Sequence, residues 1–238
     1  MATLSKSQID RLGDRLKKGS PSEADVRLLD EYRRSFGEAY EAVVLTVRDQ
    51  LHLEPTGRPA KSTTSIIEKL RRESIRLSQV QDIAGCRVVV VDMAAQEQVV
   101  ASLLGAFPAT TVMDRRANPS HGYRAVHVIV ASVNKLIEIQ IRSSLQHLWA
   151  ELSEKFSDLF DPSLKYGGGP DKLQNVLLTT SKIVVDCEEL KKKITQLQIT
   201  NTASPQLESL QRDMLNYQKE LEKSFMESIS NLNIVEKI

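Results

Sequence analysis

Residues 124–142, RAVHVIVASVNKLIEIQIR, contain two β-branched runs joined by the short ASVN. That pattern predicts an antiparallel hairpin. The second run alternates without a break, with Glu138, Gln140 and Arg142 set between and after Ile137, Ile139 and Ile141. Alternate side chains on a strand share a face about 6–7 Å apart. The isoleucines are therefore expected in a core, with a carboxylate, an amide and a guanidinium together on the opposite face. On an isolated strand such a row is ordinarily solvated, and its neighbours in the sequence argue against that here. CRVVVV, at 86–91, is another strand run, and in QDIAGCRVVV it follows Asp82, with Gly85 permitting a close strand approach and Arg87 entering the sheet.

Helical periodicity surrounds these strands. From Ser20 to Leu51 the positions Leu28, Leu29, Tyr32, Phe36, Tyr40, Val43 and Val47 recur at near 3.6 spacing and predict one helix. HLEPTGRPAK breaks it, and a second helix is expected in STTSIIEKLRRESIRL, where Ser65 and Glu68 have capping-box spacing. AAQEQVVASLLGAF is helical between the first and second strand runs. After Arg142 an apolar stripe of Leu145, Leu148, Trp149, Leu152 and Phe156 marks another helix, and two more follow the YGGGP break at 166–170. The last carries Leu207, Leu210, Met214, Tyr217, Leu221, Phe225, Leu232 and Val235 at spacings of mostly three and four. This coiled-coil-like seam needs a partner, either the chain's own body or a second subunit in a homo-oligomer. The reading divides the chain into an N-terminal helical region (1–54), a core (55–165) and a C-terminal helical extension (166–238).

The formal net charge is only +1, so any basic site must be local rather than general. Arg58, Lys61, Lys69, Arg71, Arg72 and Arg76 face only Glu68 and Glu73 in the same stretch, an excess of four positive charges. An Asp at the mouth of one strand and a Glu on another can hold a divalent metal, and magnesium commonly takes one or two carboxylates plus waters and phosphates. Two carboxylates beside a basic helix meet the needs of phosphoryl-type transfer. In HGYRAVHVIV, Tyr123 suits either base stacking or half-buried packing, and Arg124 and His127 suit contacts to phosphate or sugar.

Other features carry less. Cys86 and Cys187 are too few and too distant for a disulfide framework or a Cys-rich zinc site. His52, His121, His127 and His147 lack metal-ligand spacing, His147 and Glu151 read as an i,i+4 surface pair, and Trp149 reads as core. YGGGP lacks the Lys-Ser/Thr ending of a phosphate loop and reads as a flexible joint. MATLSKSQIDRLGDRLKKG is amphipathic rather than a signal peptide, and no apolar run approaches the ~20 residues a membrane helix needs. A cytoplasmic setting and no membrane partner are the expectation.

GRPAKSTTSIIEKLRRES, QDIAGCRVVV, HGYRAVHVIV and IEIQIRSSLQHLWAEL, in that order, resemble the synthetase domain of the RelA/SpoT family over roughly 55–160, and the short chain is similar to a small alarmone synthetase. The resemblance implies a nucleotidyltransferase-like α/β (α+β) fold, a mixed sheet flanked by helices. It implies transfer of pyrophosphate from ATP to the ribose 3'-OH of GDP or GTP, with Mg²⁺ held by Asp82 and Glu138 and Glu138 also activating the hydroxyl. Arg58 and Arg87 would flank adenine, while Lys61, Ser65, Lys69 and Arg72 would hold the ATP phosphates. Tyr123 would stack on the acceptor base, and Arg124, His127, Gln140 and Arg142 would complete the acceptor side.

The chain departs from the family pattern at three places. GRPAK has one residue more than G-R-x-K, the acceptor loop MDRRANPSHGYRA is short and lacks the expected tyrosine and lysine, and Ser153 and Glu154 replace a Glu-His pair. Two other functions therefore stand beside the first. One is a toxin that pyrophosphorylates the 3' end of tRNA and is neutralised by an antitoxin; the other is a catalytically dead nucleotide-binding scaffold, against which the presence of both Asp82 and Glu138 weighs.

Overall fold

The computed structural model describes residues 4–200 and 205–235, with the side chains of Arg58, 198–200 and 233–235 outside that description. Its contacts gather into two units interleaved in sequence: 1–88, 101–112 and 127–140 form one, and 89–100, 113–126 and 141–238 the other. A five-stranded sheet runs in the order β1-β2-β5-β4-β3, with β1 Thr56–Arg58, β2 Ala84–Val90, β3 Thr110–Asp114, β4 Val126–Ser132 and β5 Lys135–Ser143. The helices are α1 Lys6–Lys17, α2 Glu23–Arg34, α3 Gly37–Leu45, α4 Thr63–Arg72, α5 Met93–Ala106, α6 Ser144–Leu159, α7 Asp171–Thr200 and α8 Pro205–Val235. The architecture is the mixed α/β one expected. Among the described residues no helix is long and apolar enough to cross a membrane.

The first unit is built on α1, α2, α4 and the hairpin. The β4–β5 turn narrows to Val133 and Asn134, both at positive φ (46° and 58°), as a tight two-residue hairpin requires. Ile137 and Ile139 are fully buried, as alternation predicts. β1 was not legible among two prolines and a glycine. It pairs antiparallel to β2, with Gly57 opposite Cys86 and Arg58 opposite Gly85. Both glycines are needed for close approach: a Cβ on Gly57 would stand 2.5 Å from the Gly85 carbonyl oxygen, and one on Gly85 would stand 2.7 Å from that of Glu138. The edge strand β3 was also missed.

Two helix expectations need correction. The stretch from Ser20 to Leu51 is α2, α3 and a π-turn at Thr46–Gln50, not one helix. Ser35 Oγ donates to the Tyr32 carbonyl at 2.6 Å just before Gly37, and a serine bonding back in this way competes with the helical ladder. α4 is capped by Ser62, whose Oγ accepts from the Ser65 N–H at 3.2 Å, and not by Ser65. Consecutive Ser and Thr at 62–65 offer several equivalent caps, so spacing alone selects none.

The second unit packs α6, α7 and α8 around Leu145, Trp149, Leu152, Leu177, Val184, Met214 and Phe225. Five seam residues of α8 (Leu207, Met214, Leu221, Phe225, Leu232) are used here, so this seam finds partners in the chain's own body. Leu210 and Tyr217 are exposed, and the side chain of Val235 lies outside the described residues. YGGGP is a packed turn rather than a loose joint. Gly167 (φ 84°) ends a short 3-10 turn against the His121 ring, and Gln174 Nε2 donates to the carbonyls of Leu164 and Gly168 at 2.7 and 2.6 Å.

Candidate active site

In the first unit, Asp82 lies in the turn before β2, where Lys61 Nζ meets Oδ2 at 2.6 Å and Lys69 Nζ meets Oδ1 at 2.9 Å. Lys61 leads into α4, its N–H donating to the Ile83 carbonyl at 2.6 Å, and Lys69 is on α4 itself. Burial pushes the Asp82 carboxyl up, but the two ammonium groups outweigh it and hold the group below the ordinary aspartate range. Ser65 and Arg72 share the α4 face of Lys69 by their spacing. Ser65 Oγ accepts from Ser62 Oγ at 2.8 Å, and Arg72 ion-pairs with Glu73 at 3.2 Å. Arg87 faces Thr56 across the β1–β2 ladder, and the Arg58 side chain lies outside the described residues.

Glu138, on β5 in the same unit, is only 8% exposed, so the polar row is not a solvated edge here. His127 Nδ1 lies 2.7 Å from Oε1, and Gln140 Nε2 donates to Oε2 at 2.7 Å. Burial raises the carboxyl's pKa and the charge of Asp82 adds to that, yet the His127 and Gln140 contacts leave it below the ordinary glutamate range. Cys86 is a buried spectator: desolvation, aided by Glu138, pushes its thiol to about 12. His127, expected among acceptor contacts, has one ring nitrogen committed to Glu138.

The second unit holds the remaining candidates. Arg142, 7% exposed, donates from Nη2 to the Tyr123 hydroxyl at 3.1 Å, with its guanidinium 5.1 Å from the ring centroid. Tyr123 also packs on the helical core, so its ring is a held surface. Arg124 Nη1 donates to the Arg116 carbonyl and ties the loop to itself. His147 pairs with Glu151 at 3.4 Å and Trp149 is core, both as the sequence reads.

Sequence reasoning missed a buried polar chain in this unit. Glu188 on α7 accepts from Ser143 Oγ and, at 3.0 Å, from Gln146 Nε2. Gln146 Oε1 accepts from Gln96 Nε2 at 3.0 Å, and Gln96 Oε1 accepts from Arg116 Nη1 at 3.3 Å. Here desolvation prevails over the hydrogen bonds, and the Glu188 carboxyl is raised.

Residues 57–157 match the family described as "Region found in RelA / SpoT proteins". An uncharacterised protein of Mycobacterium tuberculosis is 33% identical over 187 residues, 71% of this chain, which spans 64% of that relative's length. GTP pyrophosphokinase YjbM of Bacillus subtilis is 31% identical over 163 residues, covering 60% of this chain and 74% of that protein. The crystal structure of small alarmone synthetase 1 from Bacillus subtilis superposes with a TM-score of 0.55 at 28% identity, over 72% of this chain and all of that one. Structures of that synthetase bound to its product pppGpp and to AMPCPP match at 26% and 25% identity, each with a TM-score of 0.54. They cover 76% and 74% of this chain, and all of each of those chains.

Proposed function

The chain belongs to the RelA/SpoT family, and on that footing we propose that it transfers pyrophosphate from ATP to the ribose 3'-OH of GDP or GTP, giving (p)ppGpp. The observation that carries this reading is Glu138, a buried carboxylate kept ionised by His127 and Gln140 while electrostatically coupled to Asp82. Product- and AMPCPP-bound structures of the Bacillus synthetase support the substrate pair.

Lys61 and Lys69, with Ser65 and Arg72 on the same helix face, would hold the triphosphate, and Arg58 and Arg87 would flank adenine. Tyr123 would stack on the acceptor base, with Arg124, His127, Gln140 and Arg142 on the acceptor side. The 3'-oxygen bonds to the β-phosphorus and gives up its proton along the hydrogen bond to Glu138, the bond from that phosphorus to the bridging oxygen of the α-phosphate breaks, and AMP leaves. A carboxylate held below its ordinary range is a weak base. Glu138 therefore works by fixing the hydroxyl's proton at its oxygens and orienting the nucleophile, which suits a loose phosphoryl transition state.

Asp82 and Glu138 fit a magnesium ion in donor chemistry, since both are ionised oxygen ligands and two carboxylates suffice when phosphates and waters complete the shell. Bound there, Mg²⁺ would neutralise charge on the triphosphate oxygens.

The shortened acceptor loop and the basic stretch 58–76 favour a second reading, in which the acceptor is the 3' end of tRNA and a neutralising partner protein exists. Incubation with γ-labelled ATP, magnesium and GDP, GTP, ATP or bulk tRNA separates the two. Label on GDP or GTP is expected. Label on tRNA alone replaces the first reading with the second, and label on nothing overturns both.

A further inference from the structure

Helix α7 lies outside the family-matched region, yet it reaches the loop that carries Tyr123. Ser181 Oγ donates to the Gly122 carbonyl at 2.6 Å, and both partners are shielded from water. Gly122 (φ 88°) is the residue before Tyr123, and a Cβ there would stand 2.8 Å from the Trp149 ring, so the turn is pressed onto the same core. Two helical turns further along the same face, Glu188 accepts from Ser143 and Gln146. Through Gln146 and Gln96 that chain ends on Arg116, whose carbonyl receives Arg124.

The acceptor loop is thus gripped at two points, at Arg116 and at Gly122. Ser143 directly follows Arg142, which holds the Tyr123 hydroxyl. Buried hydrogen bonds of this kind fix one backbone geometry because leaving any member unpaired is costly.

Resting on the pyrophosphotransferase reading, we propose that Ser181 and Glu188 are positioning residues for the acceptor: α7 sets the orientation of the Tyr123 ring through Gly122 and Arg116, and so sets acceptor affinity. Neither residue touches the reacting atoms in this scheme. Acceptor recognition is then governed from the C-terminal helices, while ATP recognition is not.

The test compares wild type, Ser181→Ala, Glu188→Gln and, as a control on the exposed face of α7, Thr179→Ala. Acceptor KM and ATP KM are measured separately, with amide hydrogen exchange followed across 116–126. Ser181→Ala is expected to raise acceptor KM about tenfold, the scale of one lost buried hydrogen bond. ATP KM should stay within about twofold, and exchange at 120–124 should quicken. Glu188→Gln should shift acceptor KM in the same direction, and Thr179→Ala should change neither constant. Equal changes in the two KM values, or unchanged exchange in the loop, overturn this inference and leave the proposed function standing. A wild-type protein that labels no acceptor overturns the proposed function and this inference with it.

Discussion

Glu138 and Glu188 are buried alike, 8% and 7% exposed, and each accepts two side-chain partners, yet their carboxyls move in opposite directions. Desolvation favours the neutral acid at both positions. What differs is the partner. Glu138 meets an imidazole able to carry charge at 2.7 Å and an amide at 2.7 Å, whereas Glu188 meets a hydroxyl and an amide, with Arg116 and Arg124 adding only weaker attraction. Burial alone does not decide whether an acid is ready for chemistry. The hydrogen-bonding partners do, and that separates a carboxylate suited to a reaction from one suited to holding a fold.

The largest expected effect is on turnover. Glu138→Gln should lower kcat by about 10³-fold with the fold intact, while Glu188→Gln should leave kcat within about tenfold. Near-normal turnover in Glu138→Gln would assign the hydroxyl-orienting role to another group. His127→Ala makes the environment of Glu138 resemble that of Glu188, and an approximately 10²-fold loss in kcat is expected. A smaller change would mean that Gln140 suffices to hold the charge. Tyr123→Ala should raise acceptor KM by about 10- to 100-fold, with ATP binding little altered. Equal losses for both substrates would argue against a stacking role.

The smallest effect is on stability against pH, and its sign distinguishes the two acids. The folded pKa of Glu138 is depressed, so its contribution is present above the ordinary value of 4.5 and is lost as pH falls through the folded value. The folded pKa of Glu188 is raised, so the stability of its neutral form is full below 4.5 and is lost as pH rises through the folded value. On raising the pH from the acid range, the Tm advantage of wild type over Glu138→Gln should grow. Over Glu188→Gln it should shrink. Slopes of one sign for both variants would show that the partners do not differ as described.

Glu138, Asp82, Lys61 and Lys69 were legible because each sits in a short local pattern: an alternating strand, a strand mouth and one helix face. Even the His127–Glu138 contact follows once the turn is known. Counting back from Val133 and Asn134 sets His127 across from Gln140 and one diagonal from Glu138. Gln96, Gln146, Ser181 and Glu188 were not legible. They come from α5, α6 and α7, and in DCEELKKK nothing separates Glu188 from Glu189 until packing buries one of them. The short strand β1 was hidden for a related reason, since its three residues gain strand character only from their pairing with β2.

The most direct measurement is a carbon-13 NMR titration of the glutamate side-chain carboxyls, with Glu138 and Glu188 assigned through their glutamine variants. Glu138 should titrate below 4.5 and Glu188 above it. A Glu138 carboxyl that takes up its proton at or above the ordinary value would contradict the claim that its partners hold it charged for transfer.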